Sequence, residues 1–126
     1  MIIGQIRREK LSAHLYFFRT SVLKLQKQVD FLDANEEYGL SFTRVSFWQD
    51  GVLKQAKNVE EVVAKHANDL YSYMLLRSII YSPTTCFRRS LLDAYCNVDE
   101  YVRLDFKTFD YPVWLSLARF SKVHYL

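Results

Sequence analysis

Glycine and proline are scarce in this sequence, at three and two residues. Neither occurs between Gln5 and Tyr38, so a long stretch carries no breaker. Cysteine is equally sparse. Cys86 and Cys96 have no CxxC spacing and no clustered His, which argues against a zinc module and leaves two reduced thiols as the expectation. No apolar run approaches the ~18 residues that a bilayer span requires. The opening MIIGQIRREK puts its basic residues after its few apolar ones, so it is not a signal peptide, and a cytoplasmic protein is expected. Charge of one sign is lacking as well. The net charge of +3 comes from 17 basic and 14 acidic residues that are scattered, with Arg7-Arg8 and Arg88-Arg89 as the basic pairs, and this argues against a nucleic-acid partner. There is no repeat, no Gly- or Ser-rich linker and no low-complexity segment.

What is present is apolar and aromatic. Hydrophobic residues make up 50% of the 126 and aromatics 16%, enough for a single folded domain spanning 1–126. Between Gln5 and Tyr38, Leu11, Leu15, Phe18, Val22, Leu25, Val29 and Leu32 recur at helical spacing, which predicts a long N-terminal helix. The flanking Ser12, His14, Arg19, Ser21, Gln26 and Gln28 offer few complementary charges, so packing against a sheet or another helix is favoured over a coiled coil.

Downstream, "LSFTRVSFW" (40–48) predicts a strand, and Asp50-Gly51 a hairpin turn into a short strand through Leu53. Asn58 with Glu61 predicts a capped helix, and a second helical stretch is expected from Asp69 to Ser78. Pro83 ends that region. "TTCFRR" then predicts a strand leading into the helix "SLLDAYC", with Ser90 as its cap and Asp93 near its start. "NVDEYVRLDFK" reads as a loop, "DYPVWLSLA" as a helix with Pro112 in its first turn and Asp110 as its cap, and "KVHYL" as a strand.

Three stretches taken together resemble family 2 glycosyltransferases, nucleotide-sugar-dependent enzymes of the GT-A fold: "KLQKQVDFLDANEEYGLSFTRVSFWQDG", "SPTTCFRRSLL" and "FDYPVWLSLARFSKVHYL". The resemblance covers 21–126 and leaves 1–20 unmatched. It implies an α/β fold, or α+β, with a partial GT-A-like mixed sheet and packed helices. It also implies that Asp110 corresponds to the acid that takes the proton of an acceptor hydroxyl as that hydroxyl attacks the donor sugar. A sugar hydroxyl is a poor nucleophile until its proton leaves, and a fixed carboxylate can accept it. Phe109 stands where the family often has a second acid.

The family's donor half, a βαβ nucleotide-binding unit with an Asp-x-Asp motif, has no counterpart. Asp30 and Asp33 in "DFLDAN" mimic such a motif but belong to a helical period, so no metal ligands are assigned. The divalent metal (Mg or Mn) and the nucleotide sugar are implied only for the complete family enzyme. Weaker candidates are Arg88 and Arg89 for a phosphate or carboxylate, with one structural and one solvated arginine as the plainer reading, and Trp48 for a sugar face. Trp114, in its apolar helix, reads as core; His14, His66 and His124 are dispersed and lack ligand spacing.

The expected protein is thus the acceptor-side part of a glycosyltransferase, a fragment or a shortened reading frame, inactive alone, with a separate donor-binding chain as one source of the missing half. The alternative is a noncatalytic interaction protein. In either case an uncovered sheet edge and the Leu11–Leu32 seam predict a homo-oligomer, with Leu15, Phe18 and Val22 in the contact.

Overall fold

The computed structural model describes residues 23–56 and 58–126. Its elements are α1 (Lys24–Ala34), β1 (Tyr38–Phe42), β2 (Ser46–Gln49), β3 (Val52–Gln55), α2 (Val59–Lys65), α3 (Leu70–Met74), a 3₁₀ turn (Ser82–Thr84), β4 (Cys86–Phe87), α4 (Arg89–Tyr95), α5 (Val98–Arg103), α6 (Asp110–Phe120) and β5 (Lys122–Tyr125). Helices pack on the larger of two small sheets, an arrangement of the mixed α/β or α+β kind. Among the described residues no helix is long and apolar enough to cross a membrane.

The larger sheet has three strands in the order β4-β1-β5, with β1 antiparallel to β4 and parallel to β5. Strand alternation sends Leu40 and Phe42 to one face, where they join Phe87, Val113, Trp114 and Leu117 in the core beneath α6. Ser41 points to the other face, which α1 covers with Gln28 and Leu32. A register shift against β5 between Tyr38 and Leu40 marks a bulge at Gly39. A Cβ at Gly39 would lie 2.7 Å from Ser121 Cβ and closer still to Leu91 Cδ1, so the bare backbone is what lets α4 and the start of β5 approach.

The Asp50-Gly51 turn is as expected. Gln49 pairs with Val52, and both turn residues have positive φ, 53° and 76°, the type I′ geometry. The single strand expected over 40–48 is instead two: β1 belongs to the mixed sheet, and β2 leaves it after Val45 to pair only with β3. Period-2 alternation cannot distinguish one strand from two that change sheets.

Other expectations need correction. Of the long N-terminal helix, the described residues hold α1, which runs from Lys24 to Ala34 and ends where Asn35 Nδ2 donates to Phe31 O and Arg88 gathers the terminal carbonyls; the seam from Leu11 to Val22 lies outside the described residues. Asn58 occupies the cap position of α2 but in a left-handed conformation (φ 63°), from which its side chain makes no capping bond. α3 is shorter than 69–78, and Asp69 caps it by accepting from Ser72 N at 3.1 Å; the Ser72 side chain first and its backbone N–H second lower the Asp69 pKa. Ser90 lies inside α4, which starts at Arg89. The expected loop over 97–107 contains α5, capped by Asn97, whose Oδ1 accepts from Glu100 N at 3.0 Å. Asn97 followed by Glu100 is a capping pattern, and it was the available signal.

Candidate functional site

α6 begins at Asp110, with Pro112 in its first turn and Ser121 Oγ donating to Leu117 O (2.7 Å) at its far end. Phe109 holds the cap position, so Asp110 is the first helical residue rather than the cap. Its carboxylate is half-buried and held at both oxygens. Oδ1 accepts from Tyr111 N at 3.0 Å, and Oδ2 accepts from Ser82 Oγ at 2.6 Å. The amino end of an 11-residue helix favours the negative charge. Tyr111 in turn donates from its hydroxyl to Met74 O, tying the start of α6 to α3.

Each of these donors is neutral, and each carboxylate oxygen keeps a second lone pair for a further partner. Among the described residues the group is therefore anchored by neutral donors, with no lysine or arginine paired to it. No known protein family, curated protein or solved structure matches the chain.

The remaining candidates do not gather around Asp110. Arg88 Nε donates to Tyr38 O at 2.9 Å, and its Nη2 donates to Leu32 O and to Asn35 O, so its fork closes the carboxyl end of α1. Arg89 pairs with Asp93 one turn along α4, at 2.8 Å, both side chains being more than half exposed. Trp48 lies on the β2–β3 hairpin, 40% exposed and opposite Leu53. Its neighbour Phe47 contacts Tyr81, the residue before Ser82, with ring centroids 5.2 Å apart. Trp114 is buried against Phe87, and its indole N–H has no hydrogen-bond partner among the described residues.

Asp30 and Asp33 are exposed on α1, with Asp30 accepting from Gln26 Nε2 at 2.7 Å. Among the described residues no three His, Cys, Asp or Glu side chains come together to hold a metal ion. His66 lies beside Tyr73 and His124 stacks on Phe31, while His14 lies outside the described residues. Burial pushes the Cys86 and Cys96 thiols up, and the two form no disulfide.

Ser82 and Tyr111 are the site residues that sequence reading missed. Ser82 lies 28 positions from Asp110, and no spacing rule links them.

Proposed function

We propose that this chain is the acceptor-side part of a family 2 glycosyltransferase, in which Asp110 accepts the proton of an acceptor hydroxyl as a sugar is transferred from a nucleotide donor. The observation that carries this reading is the hydrogen bond between Ser82 and Asp110, which joins two of the three family-like stretches at a half-buried carboxylate that no cation pairs with among the described residues. The same three stretches each contribute one strand, β1, β4 and β5, to a single sheet. The donor nucleotide, its divalent metal and the groups that neutralise the departing diphosphate come from a separate donor-binding half, in a cytoplasmic enzyme.

The test is complementation. Alone, the chain should bind no nucleoside diphosphate with manganese and transfer no sugar. Joined by a donor-binding half, it should turn over, and Asp110→Asn should lower kcat far more than KM because it removes the proton acceptor while keeping shape. Robust transfer by the pure chain, or an unchanged kcat in that variant, would refute the reading.

A second reading, a noncatalytic protein that associates with copies of itself, draws support from large apolar side chains left in solvent. Leu76 is 86% exposed, Val102 60% and Phe120 50%. Light scattering at tens of micromolar tests the self-association, and a monodisperse monomer would refute this second reading; binding of a nucleoside diphosphate with manganese in the presence of a donor-binding half separates it from the first.

A further inference from the structure

His124 lies at the centre of a network that the preceding reading does not use. Its ring is parallel to that of Phe31 on α1, with centroids 3.5 Å apart and planes 10° from coplanar. Tyr38 of β1 meets it edge-on at 6.2 Å. Nδ1 is 3.2 Å from Ser41 Oγ. Ser41 is fully buried, and Gln28 beside it is 1% exposed. Gln28 Nε2 donates to Ser41 O and to Thr84 O, both at 3.0 Å, and sits 3.4 Å from Ser41 Oγ.

Around the Ser41 hydroxyl the polar side-chain neighbours are therefore a donor amide and an imidazole nitrogen. The hydroxyl has one proton to give, and among these side chains of the described residues only the imidazole can take it. That assigns Nδ1 as the acceptor and puts the ring's own proton on Nε2. A second proton on the ring turns Nδ1 into a donor, and the buried hydroxyl then faces donors on both sides with nowhere to place its hydrogen. Phe31 offers an imidazolium some cation–π attraction. Burial opposes the charge, and it holds the His124 pKa below its ordinary value.

Other titratable groups lie on every neighbouring element. Lys24 and Asp33 of α1 act electrostatically on Cys86 of β4, the residue paired with Ser41. Tyr38 lies on β1, with Lys122 Nζ of β5 at 5.7 Å from its ring and at 4.0 Å from Glu37. Among the described residues no carboxylate hydrogen-bonds the His124 ring, so the Phe31 face is what its charged form gains there.

We propose that His124 is a pH-sensitive latch between α1 and the mixed sheet: neutral, it accepts from Ser41 and holds α1 against β1 and β5; protonated, it loosens that contact. Because the docked state disfavours the proton, the contribution to docking is full above the ordinary histidine pKa of about 6.5 and is lost as pH falls through the lower value of the folded chain. The latch does not depend on the glycosyltransferase reading.

Imidazole ¹⁵N spectra from pH 8 to 5 test it, combined with amide hydrogen exchange corrected for its intrinsic pH dependence. At pH 8 the ring should carry its proton on Nε2, and it should titrate below the ordinary value. Over the same interval, protection of the α1 amides should fall several-fold relative to α6. His124→Gln, which keeps a neutral acceptor, should abolish that pH dependence. If it does not fold, Ser41→Ala should move the His124 titration back toward the ordinary value and shrink the effect on α1. A ring protonated on Nδ1 at pH 8, titration at or above the ordinary value, or equal loss of α1 protection in His124→Gln would overturn the proposal.

Discussion

Replacing Gln28 by leucine removes a buried donor while nearly conserving side-chain volume. The glutamine is 1% exposed, and its amide bridges Ser41 O of β1 and Thr84 O of the 3₁₀ turn at 3.0 Å each, so one side chain connects three segments distant in sequence. Ser41 is 0% and Thr84 5% exposed, and water cannot readily replace the lost donor. Leaving a buried acceptor unpaired costs about 1–3 kcal/mol. Two such losses, reduced by the ~1–2 kcal/mol gained from burying a more apolar side chain, leave a net destabilisation of about 2.5 kcal/mol at mid-range. Urea unfolding followed by tryptophan fluorescence reads this directly, because a slope of about 1–3 kcal/mol/M converts it to a midpoint lower by on the order of 1 M. An unchanged or higher midpoint at constant slope would show that the bridge contributes nothing. Gln28→Glu should be worse than leucine at neutral pH, since a carboxylate would face two carbonyl oxygens.

Gly39→Ala should destabilise by about 1–3 kcal/mol through overpacking against Leu91 and Ser121, seen as a melting temperature lower by several degrees; a neutral result would mean that α4 shifts freely. Arg88→Lys should lose about 2 kcal/mol in thermal or urea unfolding, because a single ammonium cannot reach the carbonyls of Leu32, Asn35 and Tyr38 together. A lysine variant as stable as the parent would return Arg88 to the role of an anion-binding candidate. Both thiols should react slowly with a maleimide at pH 7.5 and rapidly in urea, since burial raises their pKa values; prompt labelling of the folded chain would contradict that burial.

What could be read from the sequence depended on how far apart the interacting residues lie. The Asp50-Gly51 turn, the helix from Asp110 and the strand at its end follow from local rules, because the dihedral preferences of Gly and Pro act within a few residues. Asn97 with Glu100 obeys the same kind of rule, but the polar stretch around it reads as irregular. Gln28 is a different case. The apolar seam predicted Leu25, Val29 and Leu32 as the inner face of the helix, whereas Gln28 and Leu32 are its buried residues. A buried amide is stabilised by carbonyls in segments far along the chain, and periodicity contains no term for them. The Asp110–Ser82 bond and the arginine fork on α1 were hidden for the same reason: each depends on tertiary contacts between segments that no local pattern connects.

The placement of β1 between β4 and β5 has a kinetic consequence. Its partners across the two ladders are Phe87 for Leu40 and Lys122 for Tyr38, so the sheet is built wholly from contacts distant in sequence. Hairpins and helices form in microseconds, while pairings that close long loops lose chain entropy before any contact rewards them. The β2–β3 hairpin and the short helices are thus the early structures, and the mixed sheet sets the pace. Ser82 leads into β4 and Asp110 opens the helix that leads into β5, so the carboxylate acquires its serine only as both strands settle on β1. The candidate site is a late product of folding, and a collapsed state that lacks the sheet would have native-like helices but no organised Asp110.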